Sequence, residues 1–130
     1  MEKILIIEDN PEIRENTAEL LELNNYSVIT AENGNEGFEL AKRFVPDIIL
    51  CDMMMPETDG RKFLKLARAD EALCNIPLIF FSAGSISSDI RRGLVKEASD
   101  YLPKPFSEQE LLEAIKRTLL KNVQHLNKSP

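Results

Sequence analysis

Apolar residues fall along this chain in short unbroken runs, separated by longer stretches in which they recur every three or four positions. The runs lie at Lys3–Ile7, Ser27–Thr30, Asp47–Cys51, Pro77–Phe81 and Asp100–Leu102. Continuous runs of this length describe strands buried on both faces, as in a parallel sheet. The stretches between them carry helix signals. Asn10-Pro11 offers a cap and a first-turn proline, and Ile13, Thr17, Leu20 and Leu21 then share a face. Gly34–Phe44 sets Phe38, Ala41 and Phe44 on one side before Pro46 stops it, and Gly60–Ala69 carries Phe63, Leu64, Leu66 and Ala67. Ile86, Ile90, Leu94 and Ala98 recur every four residues. "SEQE" opens a last helix with a capping box of Ser107 and Glu110, which buries Leu112, Ile115 and Leu119.

Five strands alternating with five helices predict an α/β fold, (βα)5, with a parallel sheet covered on both faces by right-handed crossovers. From about Asn122 the periodicity lapses, so residues 123–130 read as a tail or the start of a linker after one domain over 1–122.

Composition narrows the function classes. The chain has 130 residues, 43% hydrophobic and 29% charged, enough for one domain with a core. A net charge of −6 without a basic run argues against direct nucleic-acid binding. No apolar run approaches a membrane span, and "MEKILIIED" turns acidic too early for a secretory signal, so the expected location is the cytoplasm. Cys51 reads as a buried thiol rather than a metal ligand, since Cys51 and Cys74 form no CxxC pair. The single His125 reads as solvated.

Sites in open α/β sheets form beyond the carboxyl ends of the strands. The polar residues there are Glu8 and Asp9 after the first strand, Asp52 after the third, Ser82 after the fourth and Lys104 after the fifth. Singly, each has a structural explanation as a cap, turn or surface residue. Jointly they bring three carboxylates to one crevice, where like charges raise one another's pKa. Lys104 offsets one of those charges, and a divalent cation would offset the rest. Carboxylates without histidine or thiolate point to Mg2+. An aspartate beside Mg2+ and a lysine is a nucleophile suited to a phosphoryl group, with Ser82 as a hydrogen-bond donor.

These residues resemble the receiver domain of two-component response regulators. "IIEDN", "PDIILCDMMMPETDG", "FFSA" and "DYLPKPF" occur in that order, and the resemblance spans about residues 3–121. It implies a flavodoxin-like doubly wound sheet of strand order 2-1-3-4-5. It implies Asp52 as phosphoacceptor, with Glu8, Asp9, Asp52 and the backbone carbonyl of Met54 around Mg2+. Ser82 becomes the switch hydroxyl, Tyr101 the switch aromatic and Lys104 the phosphoryl partner. The Lys104-Pro105 bond is expected to be cis, and Pro103 suits an edge strand. Two positions depart from the pattern. Glu97 stands where glycine often ends the fourth helix, which predicts strain or a shifted end. Gly84 stands where a longer side chain is common.

The implied activity is signalling: phosphoryl transfer from a histidine kinase or phosphotransfer protein to Asp52. The face of the fourth helix, fifth strand and fifth helix would then be remodelled as Tyr101 turns inward. That face suits an output partner, or a second copy in a phosphorylation-dependent homodimer. The domain is not expected to turn over outside substrates. A haloacid-dehalogenase-like phosphatase would need an acid two residues after Asp52, where Met54 stands. A flavodoxin-type flavin site would need a phosphate-cradling loop where "EDNPE" is acidic. A receiver-like module that binds partners without phosphorylation is the remaining alternative. In "DMMMP", Met53 and Met55 read as packing residues. The methionine sulfurs are not expected to ligate Mg2+, which soft thioethers do not suit. Met54, with Gly84, is expected to tune hydrolysis of the aspartyl phosphate, since an apolar side chain at the mouth of the site does not help to orient a hydrolytic water.

Overall fold

The computed structural model describes residues 1–53, 60–83 and 100–128, with the backbone alone at 82, 83 and 122–128. Five strands, β1 (Lys3–Ile7), β2 (Ser27–Ala31), β3 (Ile48–Asp52), β4 (Leu78–Ala83) and β5 (Asp100–Lys104), pair in parallel in the order β2-β1-β3-β4-β5. The helices are α1 (Pro11–Leu23), α2 (Gly34–Phe44), α3 (Gly60–Arg68) and a C-terminal helix (Glu108–Lys128). The parallel sheet read from the alternation, in the strand order that the resemblance implies, is therefore the one formed. The fourth predicted helix and the expected irregularity at Glu97 lie outside the described residues.

Strand periodicity sorts the core into two layers. Ile4, Ile6, Ile48, Leu50, Ile79, Phe81 and Leu102 pack with Ala18 and Leu21 of α1 and with Leu111, Ala114 and Ile115 of the C-terminal helix. Leu5, Ile7, Ile49, Cys51, Leu78 and Phe80 pack on the other face, with Ala41 of α2 and Phe63, Leu64 and Ala67 of α3. Both faces are covered, so β1 and β3 tolerate almost no polar interior residue and read as continuous apolar runs.

Helix starts follow their caps. Asn10 Oδ1 accepts from the Ile13 N–H at 3.1 Å, and Asn33 Oδ1 accepts from the Glu36 N–H at 2.8 Å. Ser107 and Glu110 form the reciprocal box: the Glu110 N–H donates to Ser107 Oγ at 3.1 Å and the Ser107 N–H to Glu110 Oε1 at 3.2 Å. Helix α2 ends on Val45 at φ 45°, with its N–H on the Ala41 carbonyl at 2.8 Å. A β-branched residue is unusual in that left-handed conformation. Pro46 blocks continuation of the helix.

Some side-chain expectations differ. Phe44 is 39% exposed, because it closes α2 where the helix leaves the sheet; the Arg43 guanidinium lies over its ring. Leu66 is exposed as well, on the outer flank of α3. The C-terminal helix buries Leu111, Ala114, Ile115 and Thr118, leaving Leu112 and Leu119 at the margins of that stripe. It also runs to Lys128, past the expected lapse near Asn122. No proline or glycine interrupts the sequence before Pro130. Strand β5 continues through Pro103 to Lys104, which an edge position allows, since among the described residues one side of β5 has no strand to receive a donor.

Candidate functional site

The periodicity that fills the α1 side of the core carries directly into the site. Ile4, Ile6 and then Glu8 alternate on one face, as do Ile48, Leu50 and Asp52. Glu8 follows β1 and keeps its ladder, its N–H bonding the Ala31 carbonyl at 3.1 Å. Glu8 and Asp52 are therefore buried, at 1% and 5% exposure, while Asp9 on the facing loop is exposed. One carboxylate oxygen from each of the three lies within 4.8 Å of the others.

Lys104 reaches this cluster from β5. Its Nζ donates to Glu8 Oε1 at 2.9 Å and lies 3.8 Å from Asp52 Oδ2. The nearer partner is thus Glu8, and Asp52 stands next in reach. The Lys104-Pro105 peptide is cis. Burial raises the Glu8 pKa above its ordinary value, and the neighbouring Asp52 raises it further; the bond from Lys104 pulls the other way. Asp9 is also raised, by the partial burial of its carboxyl within the crevice and then by Glu8. One ammonium among three carboxylates leaves uncompensated negative charge.

That donor set fits a hard cation: carboxylate oxygens from two adjacent strand ends, with no histidine or thiolate among them. Glu8, Asp9 and Asp52 are the residues that would hold it. Met54, whose carbonyl was expected to join them, lies outside the described residues, as do Met55 and Gly84. Met53 is buried in the core layer of α2 and α3. Cys51 is buried, its thiol donating to the Asp52 carbonyl at 3.4 Å, and Cys74 is partly buried; neither is in a disulfide. Ser82 lies in β4 with its backbone in register with Pro103, one residue past the partner of Asp52. Tyr101 pairs with Phe80 across β4 and β5, and the residue is 8% exposed, within the α2 and α3 layer of the core.

Three residues of the site's support escaped the sequence reading. Arg14, one turn into α1, points back at the loop before it: Nη1 donates to the Glu8 carbonyl at 2.8 Å, and Nη2 lies 3.9 Å from Glu32 Oε1. Its spacing of four residues from the cap Asn10 was the available signal. Gly60 donates its N–H to the Met53 carbonyl at 3.0 Å, and a Cβ there would stand 2.5 Å from Phe80 Cε1 and 3.1 Å from the Asp52 carbonyl oxygen. Only glycine lets α3 start this close to the end of β3. Phe81 places its ring under Lys104, with Nζ 5.0 Å from the centroid.

The profile of the response regulator receiver domain matches residues 4–116. Among curated proteins, the chain is 38% identical over 112 residues to hybrid signal transduction histidine kinase D of Dictyostelium discoideum, covering 86% of this chain and 7% of that protein. It is 36% identical over 116 residues to the phosphate regulon transcriptional regulatory protein PhoB of Pseudomonas aeruginosa, covering 89% of this chain and 51% of that one. The chain thus spans about half the length, or less, of these relatives. Among solved structures, a response regulator receiver domain protein from Clostridium thermocellum superposes with a TM-score of 0.86 at 25% identity, covering 95% of this chain and 98% of that one. Chemotaxis protein CheY4 of Vibrio cholerae superposes with a TM-score of 0.85 at 28% identity, covering 91% and 98%.

Proposed function

The chain belongs to the response regulator receiver domain family, and we propose that its Asp52 accepts a phosphoryl group from the phosphohistidine of a partner kinase or phosphotransfer protein. The observation that carries this reading is the grouping of Asp52 with Glu8, Asp9 and Lys104 at adjoining strand ends. In the transfer, an Asp52 carboxylate oxygen forms the new bond to phosphorus as the phosphorus–nitrogen bond of the donor breaks. The electron pair of the broken bond stays on the imidazole nitrogen. Mg2+ held by Glu8, Asp9 and Asp52 would supply positive charge against the phosphoryl oxygens.

The chain's own residues set up the rest. Burial excludes competing water from Asp52, so an ammonium 3.8 Å away acts in a medium where its charge is felt more strongly. Lys104 shifts its hold from Glu8 towards the phosphoryl oxygens at Asp52. Ser82, at the end of β4, is the proposed hydroxyl donor. Glu8 and Asp9, whose pKa values are raised by burial and then by neighbouring carboxylates, gain most from a bound cation. Phosphorylation then shifts an equilibrium that exists beforehand, with Tyr101 as its switch aromatic. The remodelled face, around β5 and the C-terminal helix, is where an output partner or a second copy would dock. The domain acts as a signalling element, with turnover confined to its own aspartyl phosphate.

The test uses intact mass after incubation with a small phosphodonor. One phosphoryl group is expected on the chain in Mg2+ and none in excess chelator. Asp52→Asn should take up none. Uptake by Asp52→Asn equal to that of the unsubstituted chain would sink the reading.

A further inference from the structure

Lys104 stands on the edge strand β5 and Asp52 ends β3, with β4 between them. Neighbouring strands lie about 4.8 Å apart, so the lysine must span roughly 10 Å across β4 to serve Asp52. Register decides what it crosses. Asp52 pairs with Phe81, and Phe81 pairs with Leu102. Phe81 and Leu102 share the core layer of α1 and the C-terminal helix, and Lys104 is the next residue of β5 on that face. The floor beneath the crossing lysine is therefore the Phe81 ring.

That floor is buried and aromatic. Phe81 is 2% exposed, and Phe106 meets its ring edge-on, with centroids 5.9 Å apart and planes at 70°. Lys104 Nζ sits 5.0 Å from the Phe81 centroid, within the range of a cation–π contact, and its side chain is 17% exposed. The ammonium is thus held from below by the ring and from the side by Glu8. The carboxylates are the groups whose charge is engaged once a cation and a phosphoryl group arrive. The ring's attraction stays constant through those changes.

We propose that Phe81 is a positioning residue for phosphoryl transfer: its aromatic face holds the Lys104 ammonium across β4, in line for the phosphoryl oxygens at Asp52. The inference rests on the functional reading above. A leucine would fill the same core space but would offer no ring face, leaving Lys104 held by the carboxylates alone.

Mono-, di- and trifluorinated phenylalanine at position 81 of the full chain withdraw charge from the ring face while nearly keeping its shape. Two quantities are read across the series: the maximal rate of phosphoryl uptake from phosphoramidate in saturating Mg2+, and the NMR order of the Lys104 Cε methylene without donor or metal. The rate is expected to fall stepwise, by about threefold to tenfold over the series. Donor half-saturation and melting temperature should stay level, and Lys104 order should fall in the same sequence. Phe81→Leu should lie at the slow end of the series. Level rates and level Lys104 order in a chain that still takes up phosphoryl groups would overturn the inference and leave the functional reading standing. Rates that fell only in proportion to melting temperature would overturn it too. Failure of the unsubstituted chain to take up any phosphoryl group would overturn the functional reading and the inference with it.

Discussion

The two edges of the sheet treat their carboxylates in opposite ways. At the amino ends of the strands three aspartates each have their own donor. Asp47 Oδ2 accepts from the Lys3 backbone N–H at 2.6 Å, Asp70 pairs with Lys42 at 2.6 Å, and Asp100 pairs with Arg117 at 2.8 Å. At the carboxyl ends Glu8 and Asp52 share Lys104, and Asp9 crowds the same space. The first edge also keeps its charges near water, whereas Glu8 and Asp52 are almost fully buried. A protein that places Lys42 and Arg117 so economically is able to balance a carboxylate. On the proposed function, the imbalance at the other edge is what an added cation would relieve, and until then it costs stability.

The largest break in this contrast comes from Lys104→Met. It removes the cation that two buried carboxylates share, and should lower unfolding free energy by about 2 kcal/mol in urea titrations without divalent ions. Removing a negative charge from the same edge should do the reverse. Glu8→Gln or Asp52→Asn is expected to raise stability by about 1 kcal/mol, since each relieves like-charge crowding. A loss of that size in both variants would mean that the edge is balanced after all.

The pH dependence separates the edges by sign. Glu8 is raised by burial and then by Asp52, so the folded chain holds its proton more tightly than the unfolded chain. Its contribution is fully present below its ordinary pKa and is lost as pH rises through the raised folded value. Asp70 is lowered, first by the hydrogen bond from Lys42, so its contribution is present above its ordinary pKa and is lost as pH falls through the lowered value. Comparing urea midpoints across the acid range, Glu8→Gln should remove a gain on acidification, and Asp70→Asn should remove a loss. The smallest effect belongs to Asp100→Asn at the balanced edge, a loss of about 0.5 kcal/mol that shrinks in high salt.

The sheet was legible because strands buried on both faces leave unbroken apolar runs. β1 appears at its expected bounds, and β3 differs by one residue at each end. The site was legible because the fold sends strand ends to one crevice, so Glu8, Asp9, Asp52 and Lys104 could be collected before any distance was known. What periodicity does not carry is contact across strands. It brought Lys104 to the crevice, and the structure adds that Nζ stands nearest Glu8, with Asp52 next. It gave no hint of the Phe81 ring beneath that ammonium, because the contact depends on the pairing of Asp52 with Phe81 across β3 and β4. Phe44 shows the same limit at a helix end. Its position fits the α2 stripe, but the stripe has run out of sheet to cover.

The claim that the carboxyl edge is kept short of a cation is tested most directly by thermal melting with and without Mg2+. The unsubstituted chain and Asp100→Asn should both melt higher in Mg2+, by similar amounts, because binding to the folded state alone adds to its stability. Asp52→Asn should start higher and lose most of the Mg2+ increment. An equal increment in Asp52→Asn, or none in the unsubstituted chain, would contradict the account.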